Sequence, residues 1–207
     1  MTLPPTQFTP SRTGASLHIP GNLAVPVTVV TLCTTQDPFQ GAGELYYLQV
    51  IRQLPFLLDG ELMKARCQSY LDHVAEFAAQ LLAADNVQDC DTMLSVPTTR
   101  HHLVRPYVDA ARAMHPGIND ITALLQRDAD AGSTSGLSFA ERQGRHHLSG
   151  PLPNMRRLLI IDDFIATGES AAHVIALMQP HTHEIPEVVI VAPLWVPSKD
   201  PKQRFLW

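Results

Sequence analysis

The stretch Leu158-Leu159-Ile160-Ile161-Asp162-Asp163-Phe164-Ile165-Ala166-Thr167-Gly168-Glu169-Ser170 decides how this chain folds. An unbroken aliphatic run reads as a buried strand, and it delivers two adjacent carboxylates. A short loop then ends in Thr-Gly-x-Ser, and an alanine-rich helix begins. The small loop residues let backbone N–H groups and hydroxyls close around a phosphate at the helix N-terminus. The two carboxylates suit sugar hydroxyls or a hard divalent cation such as Mg²⁺. Phosphate, polyol and metal at one place point to a phosphorylated sugar. A plainer reading exists, in which a buried strand ends in Asp and Thr-Gly starts a helix. It explains each part but not their coincidence in this order.

Outward from this run, strands and helices alternate. Thr92 to Pro97 reads as a short strand and Val104 to Met114 as a helix. Asp120 to Gln126 reads as a second strand and Arg156 to Ile161 as a third, followed by a helix from Glu169 to Met178. Val188 to Ala192 is a fourth strand. This rhythm predicts an α/β fold, an open parallel sheet flanked by helices. Ligands of such sheets sit beyond the carboxyl ends of the strands. Segments 97–102, 127–153 and 162–170 all leave strands at that edge. Nearer the N-terminus, Val25 to Leu32 is strand-like, with Pro26 confining its first part to an edge or to the start of a strand. Glu44 to Leu58 and Glu61 to Ala84 read as two helices. In the second, Leu62, Cys67, Tyr70, Leu71, Val74, Phe77, Ala78, Leu81 and Leu82 recur at helical spacing, a core stripe. The expected organisation is an irregular arm over 1–22 and one domain over 23–207. That domain has an N-terminal helical extension at 40–86 and an α/β core at 91–193.

Composition narrows the class. Hydrophobic residues make up 45% of the 207 and charged residues 17%, which is globular rather than disordered. A net charge of −5 argues against a general nucleic-acid-binding surface. No apolar run approaches the roughly 20 residues needed to span a bilayer. The start Met1-Thr2-Leu3-Pro4-Pro5 lacks the basic flank and apolar stretch of a signal peptide, so a cytoplasmic location is expected. Cys33, Cys67 and Cys90 encode neither a disulfide framework nor a zinc site. No Walker loop occurs. A signalling receiver domain is also disfavoured, because its acid pair follows the first strand and it needs a downstream lysine beside a phospho-accepting Asp. Here the pair comes late, and the lysines are Lys64, Lys199 and Lys202.

The 158–170 run resembles the phosphoribosyl diphosphate (PRPP) signature of the type I phosphoribosyltransferases: four aliphatics, two acids, two aliphatics, a small residue, Thr, Gly, any residue, Thr or Ser. Phe164 alone departs, an aromatic where a smaller aliphatic is usual. Upstream, Leu137-Ser138-Phe139-Ala140-Glu141-Arg142 and Gly150-Pro151-Leu152 are similar to the ComF branch of that family. The branch's N-terminal Cys-x-x-Cys knuckle and its Arg-Gly-Phe-Asn-Gln run are missing, and His146-His147 replaces a polar pair. DNA uptake is therefore not carried over.

The resemblance implies a set of roles. Asp162 and Asp163 would hold the ribose hydroxyls and, partly through them, Mg²⁺. Ala166, Thr167, Gly168, Glu169 and Ser170 would bind the 5-phosphate. Thr98, Thr99 and Arg100 would contact the pyrophosphate, with Arg100 neutralising the leaving charge. A flexible loop within 125–153, carrying Arg127 and Arg142, would close over PRPP. Eight arginines and no lysine lie between residues 100 and 157, and arginine suits phosphate oxygens. Arg112, Arg156 and Arg157 read instead as solvated charges. The histidine pairs His101-His102, His146-His147 and the His181-Thr182-His183 set lack ligand spacing, and surface placement is expected. Trp195 or Tyr46-Tyr47 could stack an acceptor base, although core packing is the plainer reading.

The acceptor is less legible. Ala166 stands where 6-oxopurine enzymes carry an Asp base, and the loop lysine of orotate enzymes is missing. Two readings stay open. One is an enzyme transferring phosphoribosyl from PRPP to a nitrogenous acceptor. The other is a non-catalytic PRPP sensor or accessory protein. Relatives in the family are often dimers, so a homodimer is possible.

Overall fold

The computed structural model describes residues 10–19, 21, 23–34, 73–98, 101–128, 141, 145–182, 184, 186–195 and 204–206. Among these, seven strands form one sheet in the order β4-β3-β7-β8-β2-β1-β9. The strands are β1 (Ser11–Ile19), β2 (Leu23–Thr34), β3 (Thr92–Ser95), β4 (Asn119–Asp120), β7 (Arg157–Ile161), β8 (Glu187–Trp195) and β9 (Phe205–Leu206). Five neighbours, from β4 through to β2, run parallel, and β1 and β9 add antiparallel pairings at one edge. The expected α/β sheet flanked by helices is therefore present.

The centre of the sheet is the quoted aliphatic run. Leu158, Leu159, Ile160 and Ile161 are each 0% exposed, and burying one such side chain contributes about 1.5–3 kcal/mol. Alternate residues serve opposite faces. Leu159 and Ile161 pack with α1 (residues 73–82), the short α2 (Asp85–Gln88) and α3 (His101–Met114). Leu158 and Ile160 pack with α4 (Glu169–Met178) on the other side. The core stripe expected along 61–84 is borne out for Val74, Phe77, Ala78, Leu81 and Leu82. Its earlier members, and the helix expected over 44–58, lie outside the described residues.

Two expectations need correction. Residues 11–19 are not an irregular arm but strand β1, paired to β2 over its whole length. Its Ser, Thr and Gly content hid it, since only Ala15, Leu17 and Ile19 face the apolar layer. Gly21, at φ +92, lets the chain reverse between the two strands. Pro26 precedes the first β2–β8 pair, Val27 with Val188, and so lies at the start of the strand on that side.

The second correction concerns Asp120 to Gln126, which is not one strand. Only Asn119–Asp120 joins the main sheet. A 3-10 turn (Thr122–Leu124) follows, and β5 (Leu125–Arg127) then forms a separate antiparallel pair with β6 (His146–Leu148). Asp120 makes the break. Its Oδ1 accepts the Thr122 N–H at 2.9 Å, an Asx-type turn that competes with a ladder. The Thr122 hydroxyl in turn accepts the Ser95 N–H at 3.0 Å.

Of the arginines expected as solvated charges, Arg112 and Arg156 are exposed, whereas Arg157 is largely covered, its side chain 22% exposed. Arg157 grips both Glu187 oxygens at 2.9 and 2.6 Å and Asp89 at 3.0 Å, at the amino edge of the sheet. Arg156 contacts Asp91, and Arg112 reaches Asp120. Cys90 is buried, and that burial pushes its thiol up to about 12, an inert cysteine.

Burial acts to raise the Asp120 carboxyl, but the Thr122 hydroxyl and N–H and the Arg112 guanidinium outweigh it and hold it below the usual range. Its charge thus stabilises the fold above the unfolded Asp value of about 3.9 and ceases to do so as pH falls through the lowered folded value. Asp120→Ala is expected to cost about 1–2 kcal/mol at neutral pH. Urea unfolding of both proteins should show the gap narrowing in acid; a gap that is constant with pH would contradict the assignment.

Candidate functional site

The chain leaves β3 through α3 toward β4 on one side, and leaves β7 through α4 toward β8 on the other. The two strands are neighbours with Ser95 level with Ile161. Crossovers that diverge from adjacent parallel strands open a crevice at their carboxyl ends, where ligands of such sheets bind. The sequence places the acid pair and the Val96-Pro97-Thr98 segment there together.

The ladder continues into this edge. The Val96 N–H donates to the Ile161 carbonyl at 2.9 Å, and the Asp162 N–H donates to the Val191 carbonyl at 3.0 Å. Asp162 is 8% exposed, and its Oδ1 accepts the Asp163 N–H at 2.8 Å, which fixes the carboxylate's orientation. Asp163 and Phe164 are half-buried. The Ile165 N–H then returns to the Leu194 carbonyl at 2.9 Å. The loop after the acids is thus pinned at both ends.

Ala166, Thr167, Gly168 and Ser170 are half-buried around the start of α4. Gly168 is the N-cap, at φ +78 and ψ 3, and brings no side chain to bond the first-turn N–H groups. The Thr167 hydroxyl accepts the Glu169 N–H in a long contact of 3.4 Å. A tight left-handed turn ahead of a helix N-terminus is the geometry that presents amide groups to an anion. The Glu169 carboxylate is 4% exposed and lies 3.7 Å from the Arg204 guanidinium. Only the Glu169 backbone remains for the role expected of it.

Arg204 was not foreseen. Its N–H donates to the Thr167 carbonyl at 2.8 Å, and its own carbonyl accepts the His18 N–H at 2.7 Å. Strands β1 and β9 therefore hold it against the loop. No local pattern signals this, because the pairing joins the two ends of the described chain.

Other expected residues divide as follows. Thr98 is half-buried three residues beyond the end of β3, while Thr99, Arg100 and Arg142 lie outside the described residues. Arg127 sits on β5, in the stem of the segment expected as a flexible loop. Trp195 is 1% exposed and bridged to Ile165, so it packs in the core and offers no stacking face. Surface placement holds for His147 and His181 but not for His146, which is 7% exposed and bonded to His173. Alternation on β6 explains the split, since neighbours point to opposite faces.

Among the described residues, no three His, Cys, Asp or Glu side chains are grouped to hold a metal. A donor set of two carboxylates fits Mg²⁺ in its usual mode, in which one or two protein carboxylates share the ion with substrate oxygens. Among the described residues, no helix is long and apolar enough to cross a membrane.

No family model and no curated protein matches the chain. Among solved structures, it is similar to an orotate phosphoribosyltransferase from Aeropyrum pernix, at 13% identity and a TM-score of 0.37. That match covers 70% of this chain and 78% of the other. It is also similar to a purine phosphoribosyltransferase from Pyrococcus horikoshii, at 18% identity and a TM-score of 0.30, covering 63% of this chain and 90% of the other. Overlaps this loose transfer no residue roles.

Gly168→Ala puts a Cβ on a left-handed residue, a strain of about 1–2 kcal/mol. The expected outcome is a lower unfolding midpoint and a distorted loop, read by thermal melting. An unchanged midpoint would mean that the turn relaxes without the glycine.

Proposed function

We propose that the protein binds PRPP at this edge and transfers its 5-phosphoribosyl group to a nitrogenous acceptor, releasing diphosphate. One observation carries the reading: an oriented acid pair and a glycine-capped helix N-terminus leave a single central strand at the crevice between β3 and β7.

On this reading the loop from Ala166 to Ser170 receives the 5-phosphate, chiefly through backbone N–H groups. Asp162 and Asp163 accept the ribose hydroxyls. Thr98, with Thr99 and Arg100 beyond it, receives the diphosphate. The C1–oxygen bond to diphosphate breaks with its electron pair leaving on the diphosphate, and the sugar passes through an oxocarbenium-like state. The acceptor nitrogen attacks that carbon. Arg100 neutralises the departing charge, a large term in such chemistry. Mg²⁺, where bound with the substrate, adds charge neutralisation at the diphosphate. The partners are thus PRPP and a base or related nitrogen compound. Ala166, which cannot act as a general base, favours a second reading in which PRPP is bound without turnover, as in a sensor or a ComF-like accessory protein.

Thermal melting with Mg·PRPP, against ribose 5-phosphate as control, tests binding. At about 100 times its dissociation constant the ligand adds roughly 2.7 kcal/mol, a rise of about 5–10 °C for a chain of this size. Absence of a rise at millimolar PRPP sinks the proposal.

Asp163→Asn, which keeps the side chain's shape, is expected to remove most of that rise while leaving the unliganded midpoint within about 2 °C. Unfolding of this variant would make the acid structural. Diphosphate release across a panel of bases then separates transfer from binding alone.

A further inference from the structure

His146 on β6 and His173 on α4 lie with Nδ1 and Nε2 3.0 Å apart, their ring centroids 4.9 Å apart and their planes at 60°. They are 7% and 3% exposed. The contact joins two parts of the molecule that the backbone does not. One is the β5–β6 hairpin, the stem of the 125–153 segment. The other is the helix whose first turn carries the phosphate loop.

The surroundings are mostly apolar. Leu125 and Leu148 share the hairpin's inner face with His146, and the helix contributes Ala172 and Ile175 to the same cluster. Strand β1 also packs on α4 and turns Ala15, Leu17 and Ile19 toward it, so alternation puts Arg12 and His18 on the opposite face. The inner residues of β2, β7 and β8 on this side are uncharged, aliphatics and alanine together with Thr31 and Trp195. Among the described residues, the charges near the pair are few. Arg127 lies directly across from His146, Arg145 precedes it, and Glu169 lies one helical turn before His173 with Arg204 against it. His147 faces outward, 3.2 Å from Asp128.

An N–H···N bond needs one ring nitrogen bearing hydrogen and one without. The pair keeps its bond when neutral and when it carries one extra proton. With two, both facing nitrogens bear hydrogen, and two positive rings meet in a dry site. Titration therefore belongs to the pair, not to either ring.

We propose that His146 and His173 are positioning residues that dock the hairpin on the phosphate helix, and that uptake of the pair's second proton releases it. The link to ligand binding rests on the PRPP reading; the docking itself does not. Undocked, both rings protonate near the ordinary histidine value of about 6.5, whereas the docked pair resists the second proton. Docking is thus full above that pH and weakens about tenfold per pH unit below it.

Amide hydrogen exchange on the full chain without ligand tests this, reading 125–127 and 146–148 with the β7 amides as internal control. Between about pH 7.5 and pH 5, after correction for intrinsic rates, wild-type hairpin protection is expected to fall about tenfold or more while β7 holds. In His146→Asn/His173→Gln the amides occupy the bonded nitrogen positions and cannot take up the proton. This variant should keep its protection and lose the pH step. Wild-type protection that does not change with pH overturns the proposal, even if the double variant fails to fold. So does an equal step in the variant, which would place the titration elsewhere. Adding Mg·PRPP at pH 7.5 should raise hairpin protection further. A pH step with no response to PRPP in exchange or melting leaves the docking intact and removes the PRPP reading, whereas a PRPP response with no pH step does the reverse.

Discussion

The site depends on the pairing of β3 with β7. Both strands are short and buried, and they end level because Ser95 stands opposite Ile161. Shifting this register by one residue would turn the inward aliphatics to the wrong helical layer, so the core enforces it. The same register bonds Val96 to Ile161, so the segment after β3 and the acid pair leave the sheet at the same edge. Apolar packing well below the surface thereby determines where polar groups meet at the edge. The divergence of α3 and α4 to opposite faces then keeps the crevice open.

A second constraint acts at the start of α4. A buried carboxylate at a helix N-terminus is favoured by the helix dipole, yet burial without a counter-charge is costly. Glu169 resolves this with Arg204. The arginine also bonds the loop through its main chain, so one residue both compensates the charge and limits the loop's movement. The glycine at Gly168 supplies the turn that neither partner could provide.

The centre of the fold was legible because its signal is local. Four aliphatics in a row, two acids and a Thr-Gly turn fix a strand, an edge and a helix start within thirteen residues. The structure places all of them as the run implies. Legibility fell wherever a contact spans the chain. Strand β1 carries an apolar signal at only Ala15, Leu17 and Ile19, and its ladder partner supplies the rest. The break after Asp120 came from one side chain bonding two residues ahead, which periodicity does not register. His146 and His147 look alike in sequence, and only the hairpin's pairing assigns one inward and one outward. Arg204 had no signal at all, since its bond to Thr167 joins residues far apart in the chain.

That last arrangement has a consequence for synthesis. Translation proceeds from the N-terminus at about 5–20 residues per second, so Arg204 appears roughly 2–7 seconds after Thr167. Strand β2 waits longer still, because its parallel partner β8 is made only near the end of the described chain. Until β8 has been made, the nascent polypeptide therefore exposes an incomplete sheet edge. The loop before α4 acquires its clamp only once Arg204 has been made. A growing chain would thus order this loop and the sheet beside it only when distant segments meet, rather than by stages.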